Sequence, residues 1–383
     1  MPEMLLSNCR LFDGKQLHDD LDVVIDAGRI QAIPARGAPL KNIDAVVDLG
    51  GELLAPGFID LQVNGGGGVL FNAAPSVETL GTMTAAHRAF GTTACLPTLI
   101  SDDRELMRQA IDAVATALSS NTPGVIGIHL EGPHLNPEFR GVHEAAFMRD
   151  LDDDAMQLIT SLTAGRTLLT VAPETVPVET IAALRAAGIT VFGGHSAATF
   201  EEARAALDAG MSGFTHLFNA MTPLQSREPG MVGAALDDAD SYVGIIADGY
   251  HVHPATLRVA IRAKARGKVC LVTDAMPVVG AAKASFELYG QTITAKGGRC
   301  LTADGVLAGS AIGMCDAVRN TVRFGGVELG EALRMASAYP AAAIGVADDM
   351  GFVRPGYRAN MLTLDADLNV TRTWIDGDMQ VHN

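Results

Sequence analysis

Four side chains in this sequence have the types and the placing that metal-assisted hydrolysis needs: Glu131, His195, His216 and Asp274. Each lies at the end of a short apolar run. Two imidazoles and a carboxylate suffice to hold a catalytic Zn²⁺ while leaving one position open for water. Such an ion brings the pKa of that water towards about 7, and a carboxylate beside it can take the proton and later hand it to a leaving group. Asp274 is the candidate for that acid/base. Any one of these residues alone reads more simply as a structural hydrogen-bonder, and Asp274, in the run Thr273 to Pro277, could merely cap the segment that follows. Recurrence at equivalent strand ends favours chemistry.

Equivalent positions require elements that bring them together. Through the middle of the chain, short apolar runs alternate with Ala-rich helical stretches, the layout of parallel βα units. Eight runs can be counted, at 58–64, 93–100, 125–132, 168–174, 190–196, 213–219, 243–249 and 268–276. The third, fifth, sixth and eighth carry the four residues above. In a (β/α)8 TIM-type barrel the C-terminal strand ends all open on one mouth, so residues distant in sequence meet there. Eight units favour a closed barrel over a doubly wound open sheet, the alternative arrangement. The two ends of the chain read differently, as short β-prone runs with turn signals at Ala27-Gly28 and Asp376-Gly377. They predict one small β-sandwich module built from 1–54 and 352–383, flanking a barrel over 55–351. Strand-like alternation near 284–306 predicts a β-hairpin insertion in the last barrel loop.

Composition limits the partners. Hydrophobic residues at 48% against 19% charged, with no long polar tract, allow a sizeable core and argue against disorder. A formal charge of −16 repels nucleic acid and anionic membrane surfaces, so neither is an expected partner. A local cationic pocket remains compatible with an acidic total. No apolar run approaches the roughly 18 residues that span a bilayer, and the start lacks a basic segment leading into an apolar stretch. A soluble, cytoplasmic protein is expected. The five cysteines are scattered and form no CxxC pair, which suits buried thiols in a reducing compartment.

The segments at 56–68 (PGFIDLQVNGGGG), 129–143 (HLEGPHLNPEFRGVH), 194–196 (GHS), 215–230 (THLFNAMTPLQSREPG), 247–254 (ADGYHVHP), 272–276 (VTDAM) and 304–310 (DGVLAGS) form an ordered series across most of the chain. This series resembles the signature segments of the N-acetylglucosamine-6-phosphate deacetylases of the amidohydrolase superfamily. The resemblance implies metal ligands at Glu131, His195 and His216 and an acid/base at Asp274, in agreement with the residue-level reading. It further implies that Val142, His143, Asn219, Ala220, Arg227, His251 and the loop Leu307-Ala308-Gly309 surround a sugar phosphate, with Asp248 and Tyr250 on the same wall. His143 suits donation to an amide oxygen or a sugar hydroxyl, and the planar fork of Arg227 suits phosphate oxygens. An isolated loop arginine is ordinarily solvated surface, and only the motif assigns Arg227 a role. His251 and His253 could instead form a second metal site, but the resemblance puts His251 on substrate.

One departure bears on metal count. Many amidohydrolases end the first strand in His-x-His, which holds a second ion; here Gln62 and Asn64 stand there. Neutral amides are poor Zn²⁺ ligands. One divalent ion per subunit is expected, zinc first, with iron, manganese or cobalt as alternatives. The expected reaction is hydrolysis of the N-acetyl group of N-acetylglucosamine 6-phosphate. The N-acetylgalactosamine epimer or another cyclic amide is the nearest alternative, and a non-catalytic sugar-phosphate sensor is the rival from another class. The resemblance also implies a homodimer in which Arg227 reaches the neighbour's pocket.

Overall fold

The computed structural model describes residues 3–41 and 43–382. Its centre is an eight-stranded parallel sheet, made of β1 (Phe58–Val63), β2 (Thr92–Ile100), β3 (Gly127–Glu131), β4 (Arg166–Val171), β5 (Thr190–Gly193), β6 (Gly213–Phe214), β7 (Tyr242–Ile245) and β8 (Val269–Leu271). Spatial order follows chain order. The strands are buried almost throughout because helices cover one face and barrel-interior side chains fill the other, which is why they read as apolar runs without alternation. The first and last strands meet to close the barrel. Val63 bridges Ala275 in parallel, Asp274 N–H donates to the Gln62 carbonyl at 2.9 Å, and Asn64 N–H donates to Ala275 O at 2.9 Å.

Local signals set the outer helices. Ser76 caps the helix Val77–Arg88 through Thr79 N–H, and Thr199 with Glu202 forms a reciprocal capping box on Phe200–Asp208. His253 caps Pro254–Ala263, where proline at the first turn costs no hydrogen bond.

Strands from both ends of the chain build the second layer. One sheet joins Arg29–Ala32, Val23–Asp26, Met4–Ser7 and Ala45–Asp48; the other interleaves Arg10–Phe12, Leu17–His18 and Leu53–Pro56 with Met361–Leu364, Val370–Ile375 and Asp378–Val381. Leu6, Leu11, Ile30, Leu54, Met361 and Trp374 pack its core. Both expected hairpin turns are left-handed, at Ala27-Gly28 and at Asp376-Gly377. The fold is therefore a (β/α)8 barrel carrying a small β-sandwich. The insertion expected as a hairpin is larger: Ser285–Leu288, Gln291–Lys296, Arg299–Leu301 and Leu307–Ser310 form a four-stranded antiparallel sheet. Its last strand runs back along the Asp274 segment, bridging Ala275 through Ser310. Among the described residues no helix is long and apolar enough to cross a membrane.

Candidate metal centre and active site

Glu131 is the last residue of β3, while His195 and His216 each stand two residues beyond β5 and β6. Glu131 Oε1 lies 3.2 Å from His195 Nε2 and 2.9 Å from His216 Nε2, and the two Nε2 atoms are 3.0 Å apart. Ligands about 2.0–2.1 Å from a tetrahedral Zn²⁺ stand roughly 3.3 Å from one another, so this triangle approximates one face of such a site. All three residues are buried, and they form a group whose donor atoms could hold a metal ion. His195 Nδ1–H donates to Phe139 O at 2.9 Å, which leaves Nε2 as the lone-pair nitrogen inside the triangle. Burial works to raise the Glu131 pKa, but the hydrogen bonds and charge of His195 and His216 hold it well below the usual value.

Asp274 enters from the barrel seam. Asn64 Nδ2 donates to its Oδ1 at 2.6 Å and Gln62 Nε2 at 3.2 Å; Gln62 Nε2 also reaches both Glu131 oxygens, at 3.0 and 3.1 Å. A carboxylate only accepts, so both amides turn their NH₂ groups toward the site. Where a second cation would need histidines, the chain offers hydrogen-bond donors. Burial, then repulsion from Glu131, raises the Asp274 pKa to about 6. That value suits a group that must both take and return a proton near neutrality.

His143 has a defined tautomer. Ser101 N–H donates to its Nδ1 at 3.3 Å, and Ser101 Oγ lies 2.8 Å from the same atom. Nδ1 is thus an acceptor, and burial pulls the ring's pKa down to about 3. The neutral ring carries its proton on Nε2, as a donor to an oxygen in the cleft. Backbone strain accompanies these roles: His195 (φ 49), His216 (φ 32), Asp274 (φ 51) and Ala220 (φ 49) all have left-handed backbones. For residues other than glycine such conformations cost on the order of 1–3 kcal/mol and concentrate at functional sites.

The cleft that receives these groups is also lined by Val142, Asn219, Ala220, His251, Leu307 and Gly309, six of the residues named from sequence. Gly309 is needed for close approach: a Cβ there would sit 2.7 Å from the Asp274 carbonyl, at a φ of 66. Four named residues lie off the cleft wall. Asp248 sits behind His251, accepting its Nδ1–H at 2.6 Å and its backbone N–H at 2.8 Å. Tyr250 is half-exposed beneath the Arg299 guanidinium, 4.7 Å from its ring centre. Ala308 is buried within its strand, and Arg227 is exposed in the loop after β6. His253 caps a helix through Nδ1, separate from His251. No Lys or Arg lines the cleft among the described residues.

Sequence reading passed over several supporting residues. Ser101 follows β2, and its role depends on a backbone N–H that no motif displays. Asp60, in the middle of β1, accepts from Thr273 Oγ1 at 2.5 Å and ties the two seam strands beneath Asp274; burial pushes its pKa up to about 7. His129 spans Thr98 Oγ1 (3.2 Å) and Thr170 Oγ1 (2.8 Å) one layer below Glu131.

Comparison with known proteins agrees with this geometry. The profile of the amidohydrolase family matches residues 53–379. The N-acetylgalactosamine-6-phosphate deacetylase of Shewanella sp. (strain ANA-3) is 45% identical over 85% of this chain and 82% of its own. The N-acetylglucosamine-6-phosphate deacetylase of Haemophilus influenzae is 37% identical over 97% of this chain and 98% of its own. The crystal structure of N-acetylglucosamine-6-phosphate deacetylase from Pasteurella multocida superimposes with a TM-score of 0.96 at 36% identity, covering 99% of this chain and all of that one. The chain belongs to the amidohydrolase family, in the branch of the N-acetylhexosamine-6-phosphate deacetylases.

Proposed function

We propose that this chain hydrolyses the acetamido group of N-acetyl-D-glucosamine 6-phosphate to D-glucosamine 6-phosphate and acetate, with one zinc ion held by Glu131, His195 and His216. The observation that carries the reading is the meeting, in one cleft, of that ligand triangle with an elevated carboxyl at Asp274 and a neutral Nε2–H donor at His143. A cation there supplies Lewis-acid polarisation of the scissile carbonyl and acidifies a water molecule. Asp274 accepts the proton of that water as its oxygen bonds to the carbonyl carbon. His143 Nε2–H donates to the oxygen on which negative charge develops. Asp274 then delivers its proton to the amide nitrogen as the C–N bond breaks, so that an amine leaves rather than an amide anion. One C–O bond forms, one C–N bond breaks, and one water is consumed.

The phosphate end needs positive charge that the cleft wall does not supply with Lys or Arg. Arg227 of a second copy in a homodimer, together with His251 held by Asp248, is the proposed source, with Val142, Asn219, Ala220 and Leu307 to Gly309 around the sugar. Tyr250, packed on the inserted sheet beside His251, is proposed to border the same wall. The five free cysteines, all buried, support a reducing, cytoplasmic setting.

The Shewanella relative favours a second reading, in which the substrate is the galactosamine epimer. Acetate release measured on N-acetylglucosamine 6-phosphate, N-acetylgalactosamine 6-phosphate and both unphosphorylated sugars tests these readings together. A higher kcat/KM on the glucosamine compound supports the first and a higher value on the galactosamine compound the second; no acetate from either refutes both.

A further inference from the structure

The fourth strand contributes no donor to the Glu131–His195–His216 triangle, yet a carboxylate follows its end. Glu174 lies three residues beyond β4, and its two oxygens take three hydrogen bonds from two different loops. Oε2 accepts from Ser196 Oγ at 2.6 Å; Oε1 accepts from Ala197 N–H at 2.6 Å and from Asn136 Nδ2 at 3.0 Å. Ser196 and Ala197 are the two residues that follow His195. Asn136 belongs to the segment after β3 and is itself bound to His195, donating its backbone N–H to the His195 carbonyl at 2.9 Å. The same Asn136 caps the short turn Pro137–Phe139 by accepting from Glu138 N–H at 2.8 Å, and Phe139 supplies the carbonyl that receives His195 Nδ1–H.

These contacts form closed circuits around His195. On one side Glu174 grips the backbone just after the histidine; on the other it holds the residue that caps the turn orienting the imidazole. The backbone it secures is strained, with His195 at φ 49, a conformation that persists only when its surroundings over-determine it. The circuit also reaches the loop of His216, since Ser196 N–H donates to Ala220 O at 3.1 Å and Ser196 bridges Met221.

We propose that Glu174 is a positioning residue for the metal centre: without touching metal or substrate, it fixes the backbone and ring of His195 so that Nε2 stands in the ligand triangle before a cation arrives. The proposal rests on reading Glu131, His195 and His216 as metal ligands. It assigns to one carboxylate the outer-shell role that commonly sets ligand orientation and hence affinity.

The test is Zn²⁺ affinity, measured on stripped protein by competition with a chromophoric chelator, together with the melting temperature of the metal-free protein. Glu174→Gln removes the charge behind all three hydrogen bonds and leaves one acceptor oxygen where there were two, and it should raise Kd about 10- to 100-fold, the usual range for losing such support. The metal-free melting temperature should stay near that of the wild type, which separates positioning from general destabilisation. Ser196→Ala removes one of the three donors and should weaken binding by a smaller factor. The double variant should bind no more weakly than Glu174→Gln alone, because both act through one contact. Ser196→Ala carries the test by itself if Glu174→Gln does not fold. Wild-type Kd in the folded variants, or effects that multiply independently in the double variant, would overturn the proposal. Wild-type protein that takes up no Zn²⁺, or His195→Ala protein that binds it as tightly as wild type, overturns the metal reading and this proposal with it. Tight wild-type binding that Glu174→Gln leaves unchanged removes this proposal alone.

Discussion

Asp274→Asn isolates the proton transfer from the architecture around it. In the structure Oδ1 accepts from Asn64 at 2.6 Å and from Gln62 at 3.2 Å, and an asparagine can leave its own Oδ1 in that place. Side-chain position, and the ligand triangle that Gln62 also touches, should therefore survive. What disappears is the ability to accept the water's proton and to return it to the amine. General acid–base catalysis contributes about 10²- to 10⁴-fold. Both transfers use the same carboxyl, so their losses do not multiply, and kcat should fall by about 10²- to 10⁴-fold, or about 2.7–5.4 kcal/mol. The pH profile supplies a second signature. Asp274 must be ionised to act as base, so activity is present above its pKa and lost as pH falls through it. With that pKa at about 6, and lower once a neighbouring cation favours the ionised form, the acidic limb of wild-type kcat/KM should lie at or below about pH 6. The variant's residual activity should lack that limb. Initial rates of acetate release from pH 4.5 to 8, with metal content measured on the same samples, decide the matter. Near-normal kcat, or an unchanged acidic limb in a variant that keeps its metal, would refute the assignment.

Further outcomes test the oxyanion donor, the proposed phosphate contact across a dimer, and the β-sandwich core. His143→Ala should retain the metal but lower kcat by about 10²- to 10³-fold, the cost typical of losing an oxyanion donor; unchanged kcat would move His143 out of the reaction. Arg227→Ala should lower kcat/KM on the phosphorylated sugar by about 10- to 150-fold, equivalent to about 1.5–3 kcal/mol, while barely changing activity on unphosphorylated N-acetylglucosamine. Mixing it with Asp274→Asn subunits should restore one intact site per heterodimer, whereas a plain average of the parents after verified subunit exchange would place the arginine in its own subunit's site. Trp374→Ala, in the core of the β-sandwich at 0% exposure, should cost about 3–5 kcal/mol in denaturant unfolding, and a loss under about 1 kcal/mol would show that core to be easily repacked.

The barrel was legible because its strands are buried on both faces, so each of the eight apolar runs contains or overlaps an observed strand. Glu131, His195, His216 and Asp274 stood out because metal-binding and proton-moving side chains recurred near the ends of four such runs, although each alone reads as a structural hydrogen-bonder. Strand lengths were not legible: β6 is only Gly213–Phe214, and the rest of its apolar run is a loop with left-handed residues at His216, Phe218 and Ala220. The extra strands around the expected hairpin escaped because Arg299–Leu301 and Leu307–Ser310 are short and rich in glycine and polar neighbours. Supporting residues were the least visible. The tautomer of His143 depends on the Ser101 backbone N–H, and the hold of Glu174 on the His195 loop depends on three strand ends meeting in space. Neither leaves a spacing in the sequence. Gln62 and Asn64 could be read as the absence of histidines, but their second use, as donors to Glu131 and Asp274, required the barrel seam to close.

A single-ion hydrolytic centre can be titrated: stripped protein receives Zn²⁺ stepwise while acetate release from N-acetylglucosamine 6-phosphate is followed. Activity should be negligible without metal, rise linearly, and reach a plateau at one equivalent per chain, because Gln62 and Asn64 occupy with NH₂ groups the place where a second ion would need ligands. Full activity in stripped protein, or a rise that continues to two tightly held equivalents, would contradict it.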